Sequence, residues 1–344
     1  MKSLFAVYFL IFNLFITIKA QNNDALNYLI KIVNTEIDIN EKYLNYNGAM
    51  SHGKSARKVE NKRIALIQSV KNAKKSIASM PCFKNDCALR DSLVSFLNMQ
   101  FYVLNYDFAK ILNMEDVAEQ SYDNMELFMN AQTLANDKVE NAGKVADNVF
   151  KDFAKNHNIP LSNKKDEMAK KIERVSGVNK HYGVVYLIFF KAYKQEAYMM
   201  DAINRRNFSA AGQNKDALLS ISLEGLGKLD SLKAYLNDRS LINACHRSLE
   251  FYKSEAKDKI GIVIDYMIKA EEGDKLQRTV GSKDPMFITN EEREQFNKVK
   301  KELDLLTKKF KATNPSLNQN RTVTLNNWNV IVKGYMERYI PKGD

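Results

Sequence analysis

The sequence predicts an all-α protein: two related antiparallel helical bundles from an internal duplication, behind a cleaved signal peptide. Three observations carry that reading. Apolar residues recur every three or four positions through most of the chain, the signature of one-sided helices. A helical hairpin occurs twice at a constant offset, turning at Phe83-Lys84-Asn85-Asp86 and again at Tyr235-Leu236-Asn237-Asp238. Around the two turns Ala65 and Leu66 match Ala217 and Leu218, Ile77 and Met80 match Leu229 and Leu232, Leu89 matches Leu241 and Leu97 matches Leu249. Repetition at a fixed period points to one structural unit used twice. The third observation is the amino-terminal run from Leu4 to Ile18, almost wholly apolar, preceded by Lys2 and followed by Lys19-Ala20-Gln21. A membrane anchor needs about 20 apolar residues; this run is shorter, is interrupted by Asn13 and ends on a small residue suited to cleavage. The expected domains are a signal peptide over 1–20, an N-terminal bundle with its connecting helix over 21–175, and a C-terminal bundle with a closing helix over 176–344.

The elements follow in order. The first helix carries Leu26, Ile30, Val33, Ile37 and Leu44 on one face, and Asn47-Gly48 is expected to end it. The second carries Val59, Leu66, Val70, Ala73 and Ile77 up to Pro81. Asn85 or Asp86 can cap a third, striped by Leu89, Leu93, Leu97, Phe101, Leu104 and Phe108, with a fourth expected from Asn113 to about Lys155. Pro160 interrupts the chain, a lysine-rich helix runs to Val175, and Ser176-Gly177 is the expected boundary between halves.

The second half opens with a helix dense in rings: Tyr182, Tyr186, Phe189, Phe190 and Tyr193. Helices capped near Ser209 and at Asp238 follow. The stretch Glu271 to Ile288, with Gly273, Gly281 and Pro285, is expected to be the longest loop. Thr289 and Glu292 have capping-box spacing. Asn314-Pro315 is expected to end that helix, and a closing segment contains the single tryptophan, Trp328, with Thr322 to Thr324 open to helix or strand.

The formal charge is +11, falling to +9 if Lys2 and Lys19 are removed. Lysines and acids alternate, as in Lys164-Lys165-Asp166-Glu167, which describes a solvated surface better than a nucleic-acid footprint. Among the three cysteines, Cys82 and Cys87 flank the first hairpin turn in a chain expected to leave the reducing cytosol. A disulfide stapling the turn and two free thiols both fit, because the second turn has no such pair. Cys245 falls in a core position.

Chemical signatures are absent from the sequence. There is no nucleophile elbow, no phosphate-binding Gly-rich loop and no dinucleotide fingerprint. The four histidines, His52, His157, His181 and His246, have no partner histidine three or four residues away, so no zinc pair shares a helix face. His246 and Cys245 are adjacent and diverge by about 100 degrees on a helix. No cofactor and no metal is expected. Tyr182, Tyr186, Phe189 and Tyr193 cover more of the helix than one core stripe requires. They suit either a central core helix or an aromatic-lined groove for a peptide, glycan or lipid.

Taken together, the signal peptide ending Ala20-Gln21, the repeated Asn-Asp hairpin, the tyrosine-rich helix and the missing catalytic signatures resemble all-helical exported bacterial surface proteins of no known activity. The resemblance covers the mature chain in architecture and implies no activity. The expected function is therefore non-catalytic: binding or scaffolding of an envelope or extracellular protein or glycan, in the periplasm or at the cell surface. A basic binder of anionic polymer or membrane and a motif-free enzyme or metal protein are the alternatives.

Overall fold

The computed structural model describes residues 15–16, 24–162 and 167–343. The expected signal peptide lies outside the described residues except for Phe15–Ile16, which pair antiparallel with Leu161–Ser162. Everything else of regular structure is helical: α1 (Asp24–Ser51), α2 (Ala56–Ala78), α3 (Ala88–Tyr102), α4 (Phe108–Ala118), α5 (Tyr122–Asn156), α6 (Glu167–Asn204), α7 (Phe208–Ser231), α8 (Ser240–Ser254), α9 (Ile260–Gly281) and α10 (Asn290–Tyr339). No helix among the described residues is long and apolar enough to cross a membrane.

The chain divides into two compact units, one ending at Val184 and including Lys333–Asp344, the other spanning Val185–Val332. Helices α6 and α10 contribute residues to both.

In the first unit α1 packs on α2, α2 on α3, and α3 and α4 on α5. The expected stripes of α2 and α3 face inward, with Leu66, Val70, Leu89, Leu93 and Leu97 buried, but those of α1 and α5 are only partly right. Leu26, Leu44, Met125, Phe128 and Phe153 are buried, whereas Ile37, Leu134 and Val145 are exposed and Leu29, Ile32, Ile39 and Phe150 take the inward positions. Helix α2 starts at Ser55, whose hydroxyl accepts from the Lys58 N–H, and α5 starts at Ser121, whose hydroxyl accepts from the Asn124 N–H at 3.1 Å. The chain therefore breaks at residues 119–121, not at Asn113. Gly48 does not end α1. It is buried within the helix, where an added Cβ would meet the Pro341 carbonyl oxygen at 2.6 Å. Its missing side chain serves a close approach and not a termination.

In the second unit α7 packs on α8 and α9 around Leu218, Leu229, Leu241, Cys245 and Leu249. Trp328 belongs to this core as well. Three expected breaks are absent. Helix α6 runs unbroken through Ser176-Gly177. Helix α9 continues to Gly281, because Gly273 sits opposite α10, where a Cβ would stand 3.3 Å from Leu303 Cδ2. Helix α10 passes through exposed Pro315 and through Thr322 to Thr324. A proline there removes one helical hydrogen bond; burial of Val299 and Leu317 on either side holds the helix across it.

The two hairpin turns share their local construction. Phe83 and Asp86 bridge through backbone hydrogen bonds, as do Tyr235 and Asp238. Lys84 and Asn85 have φ of 47° and 68°, and Leu236 and Asn237 have 53° and 58°. The Asp86 carboxylate accepts from the Ala88 N–H at 2.8 Å and the Asp238 carboxylate from the Ser240 N–H at 2.7 Å. Both following helices then widen into one π turn, Val103–Asp107 and Glu255–Lys259. In the first unit the Arg63 guanidinium donates to the Leu104 carbonyl of that turn at 2.7 Å.

Candidate functional site

The aromatic helix is not a groove. Tyr182, Tyr186 and Phe189 are 4%, 2% and 0% exposed, and Tyr193 is half-buried. Phe189 stacks on Trp328 with ring centroids 4.1 Å apart, and Tyr186 on Phe190 at 5.5 Å. Rings on most faces of α6 are used for packing on most faces. The open, aromatic-lined cleft that the sequence allowed as an alternative is thereby excluded for Tyr182, Tyr186 and Phe189.

Cys82 and Cys87 are joined by a disulfide across the first turn, with Cα atoms 4.5 Å apart. Cys245 is buried and free, and burial pushes its thiol well above the usual range, which makes it unreactive. Among the described residues, no three His, Cys, Asp or Glu side chains gather in a metal-holding group. His157 packs against the rings of Phe83 and Phe153, and His52 Nε2 lies 3.0 Å from the Ile340 carbonyl.

Two features missed at the level of sequence carry more. The first is a charged cluster in the core of the second unit. Glu255, at the start of the second π turn, is fully buried and pairs with the Arg321 guanidinium from α10. Arg321 Nε also lies 2.9 Å from Glu196 Oε1 on α6, and Arg321 Nη1 donates to Asn318 Oδ1 at 2.6 Å. Two carboxylates thus share one guanidinium. Burial pushes Glu255 up to about 7, against the opposing pull of Arg321, and raises Glu196 for the same reason. The phenol of Tyr252, beside both carboxylates, is held well above its usual range by burial and by their charge. The positions 152 residues earlier are Leu44 and Val103, both buried and apolar.

The second feature is the connection between α9 and α10. Beyond Ile264 no residue of α9 is buried, and before Leu317 only Val299 of α10 is. These stretches form a two-helix arm, held by the stacked rings of Tyr266 and Phe310 at 4.2 Å and by Lys269, which bridges Glu272 and Glu302 at 2.8 Å each. At its tip Met286 is 82% and Phe287 69% exposed, the largest exposures among the large apolar side chains described. The tip is ordered by hydrogen bonds. Asp284 accepts from the Met286 N–H at 3.0 Å, and Arg293 donates to the Pro285 carbonyl at 2.7 Å. Thr289 and Glu292 form the expected reciprocal capping box, at 3.1 and 3.2 Å. The sequence signal is a run of large apolar residues, Met286-Phe287-Ile288, inside a turn otherwise marked by Asp, Pro and Asn.

No family model, no curated protein and no solved structure matches the chain.

Proposed function

We propose that the protein is an exported, non-catalytic helical protein of the periplasm or cell surface that binds or scaffolds another macromolecule, and that the tip of the α9–α10 arm is where it docks. The observation that carries this reading is the pair Met286 and Phe287, held out into solvent by a hydrogen-bonded turn. Leaving two large apolar side chains in water forgoes roughly 1.5–3 kcal/mol apiece, and fixing them in place lowers the entropy lost when a partner covers them. The flanking charges are mixed, Lys283 and Arg293 against Asp284, Glu291 and Glu292. A bare anionic surface gains little from that rim. An apolar pocket on another protein is the better fit.

Export rests on the apolar run from Leu4 to Ile18 and Ala20. Descent of both units from one duplicated ancestor is supported by the matched turns, side-chain caps and π turns 152 residues apart. The second reading, a basic binder of anionic polymer or membrane, is favoured by the exposed lysines 298, 300, 301, 308, 309 and 311 along α10.

A photo-crosslinking side chain at Phe287, expressed in the source organism, should yield one dominant protein adduct, whereas the same group at exposed Leu223 on α7 should yield none. Equal labelling at both positions would remove the tip from the proposal. Retention on anionic vesicles, lost as salt rises, would favour the basic-surface reading instead.

A further inference from the structure

We propose that Glu196, Glu255 and Arg321 form a proton-binding site that makes the second unit pH-responsive. Two carboxylates and one guanidinium leave a net negative charge when both acids are ionised, and the cluster is largely out of water: the side chains of Glu255, Glu196 and Arg321 are 0%, 12% and 16% exposed. A buried charge is tolerated only when it is compensated. One carboxylate is compensated by Arg321. The other is neutralised most readily by a proton.

Among the described residues, Arg321 is the only cation paired with either acid. From the π turn, Lys259 pulls on Glu255 less than Arg321 does, and Lys257 and Asp258 are exposed. From α8 come the neutral phenol of Tyr252 and the thiol of Cys245, from α6 the phenol of Tyr193, and from α10 the amide of Asn318. On α7, Lys215 and Asp216 pair with each other at 3.2 Å, and Glu224 pairs with Lys191 and Lys228. Glu255 Oε2 is buried and accepts no hydrogen bond from the protein. That oxygen, on a fully buried side chain, is where a proton is most strongly favoured. The fold does not require polarity here, since the positions 152 residues earlier are filled by Leu44 and Val103.

The sign follows from linkage. Unfolded, a glutamate releases its proton near its ordinary value of about 4.3; folded, Glu255 holds it to about 7. Between those values the folded chain binds a proton that the unfolded chain does not, so stability falls as pH rises through the window and levels off above it. Carboxylates nearer the surface and drawn down by lysine or arginine partners, such as Glu60, Glu224 and Glu292, act in the opposite sense, below their ordinary range and so outside the upper part of this window. Glu36 of the first unit is also pushed up, to about 8, by burial. The wild-type profile is therefore a sum, and the difference between wild type and variant isolates the pair.

The test uses the full chain. Infrared difference spectra between pH 5.5 and 8.5 should show a carboxylic-acid carbonyl band that is lost on raising the pH, and this band should diminish in Glu255→Gln and in Glu196→Gln. Thermal melts over the same range should show the wild-type midpoint falling with pH and a flatter profile for Glu255→Gln. Spectra in which both variants keep the whole wild-type band, or wild-type protein with no such band at pH 5.5, would overturn the proposal. If neither variant folds, the Glu36→Gln protein decides: a band that it keeps supports the pair, and a band present in wild type but lost in Glu36→Gln belongs to the first unit and refutes the pair.

Discussion

Phe189 and Trp328 lie face to face, their ring planes 11° from parallel and their centroids 4.1 Å apart. Both are buried to within 1% of full occlusion, and they tie α6 to α10 in the second unit. Because Trp328 is the only tryptophan, its fluorescence reports on this contact alone. Phe189→Ala should cost about 3–5 kcal/mol, the range for truncating a buried aromatic, and should shift Trp328 emission to the red even below the melting transition. Tyr186→Ala, equally buried, should be costly as well. A Tyr186→Ala protein that melts with the wild type would contradict the core placement of this helix and reopen the groove.

The cysteines make a second expectation. Titration of the oxidised chain in denaturant should find one reactive thiol, Cys245, and reduction should raise that to three. Because the closed loop spans only five positions in sequence, the cross-link should stabilise by about 2 kcal/mol, near the lower end for disulfides. A Cys82→Ser/Cys87→Ser protein is thus expected to fold and to melt earlier.

The paired turns allow a comparison within one molecule. Asp86 and Asp238 each hold the first N–H of the following helix through one carboxylate oxygen. Replacing either by alanine should cost on the order of 1 kcal/mol. The Asp86 turn is also closed by the disulfide, so loss of its cap should be partly masked until the chain is reduced, whereas Asp238→Ala should be insensitive to reductant. Identical behaviour under both conditions would show that the staple and the cap act independently.

How much of this was legible in the sequence depends on the distance over which each determinant acts. The stripes through Leu66, Leu97 and Leu249 are local, and their helices follow directly from the spacing. By local propensity Gly48, Gly273 and Pro315 are terminators, yet the two glycines are placed by neighbours distant in sequence, the Pro341 carbonyl and Leu303, and Pro315 is carried by a helix whose burial at Val299 and Leu317 outweighs the lost hydrogen bond. The acid cluster was invisible for the same reason, since Glu255 and Arg321 are 66 residues apart and neither sits in a recognisable motif. The aromatic helix was ambiguous because ring density tells how much surface is apolar but not what covers it.

Gly48 offers the sharpest test of a distant determinant. A Cβ at this position would stand 2.6 Å from the Pro341 oxygen and 3.0 Å from the Lys342 carbonyl carbon, both backbone atoms that cannot swing aside. The same segment is also held against α1 where His52 Nε2 lies 3.0 Å from the Ile340 carbonyl and where Gly343, at φ 63°, approaches so closely that a Cβ would stand 3.1 Å from Asn45 Cα. Gly48→Ala should therefore destabilise the full chain by about 1–3 kcal/mol, the usual cost of overpacking. Removing residues 341–344 removes the clash. In that background alanine in the last turn of α1 should instead stabilise, by at most about 0.5–1 kcal/mol, because glycine is the poorer helix former. A double-mutant cycle between the two changes should show coupling, as expected for groups in contact. Additive effects would mean that the carboxy-terminal segment does not rest on α1 and that Gly48 serves no contact with it.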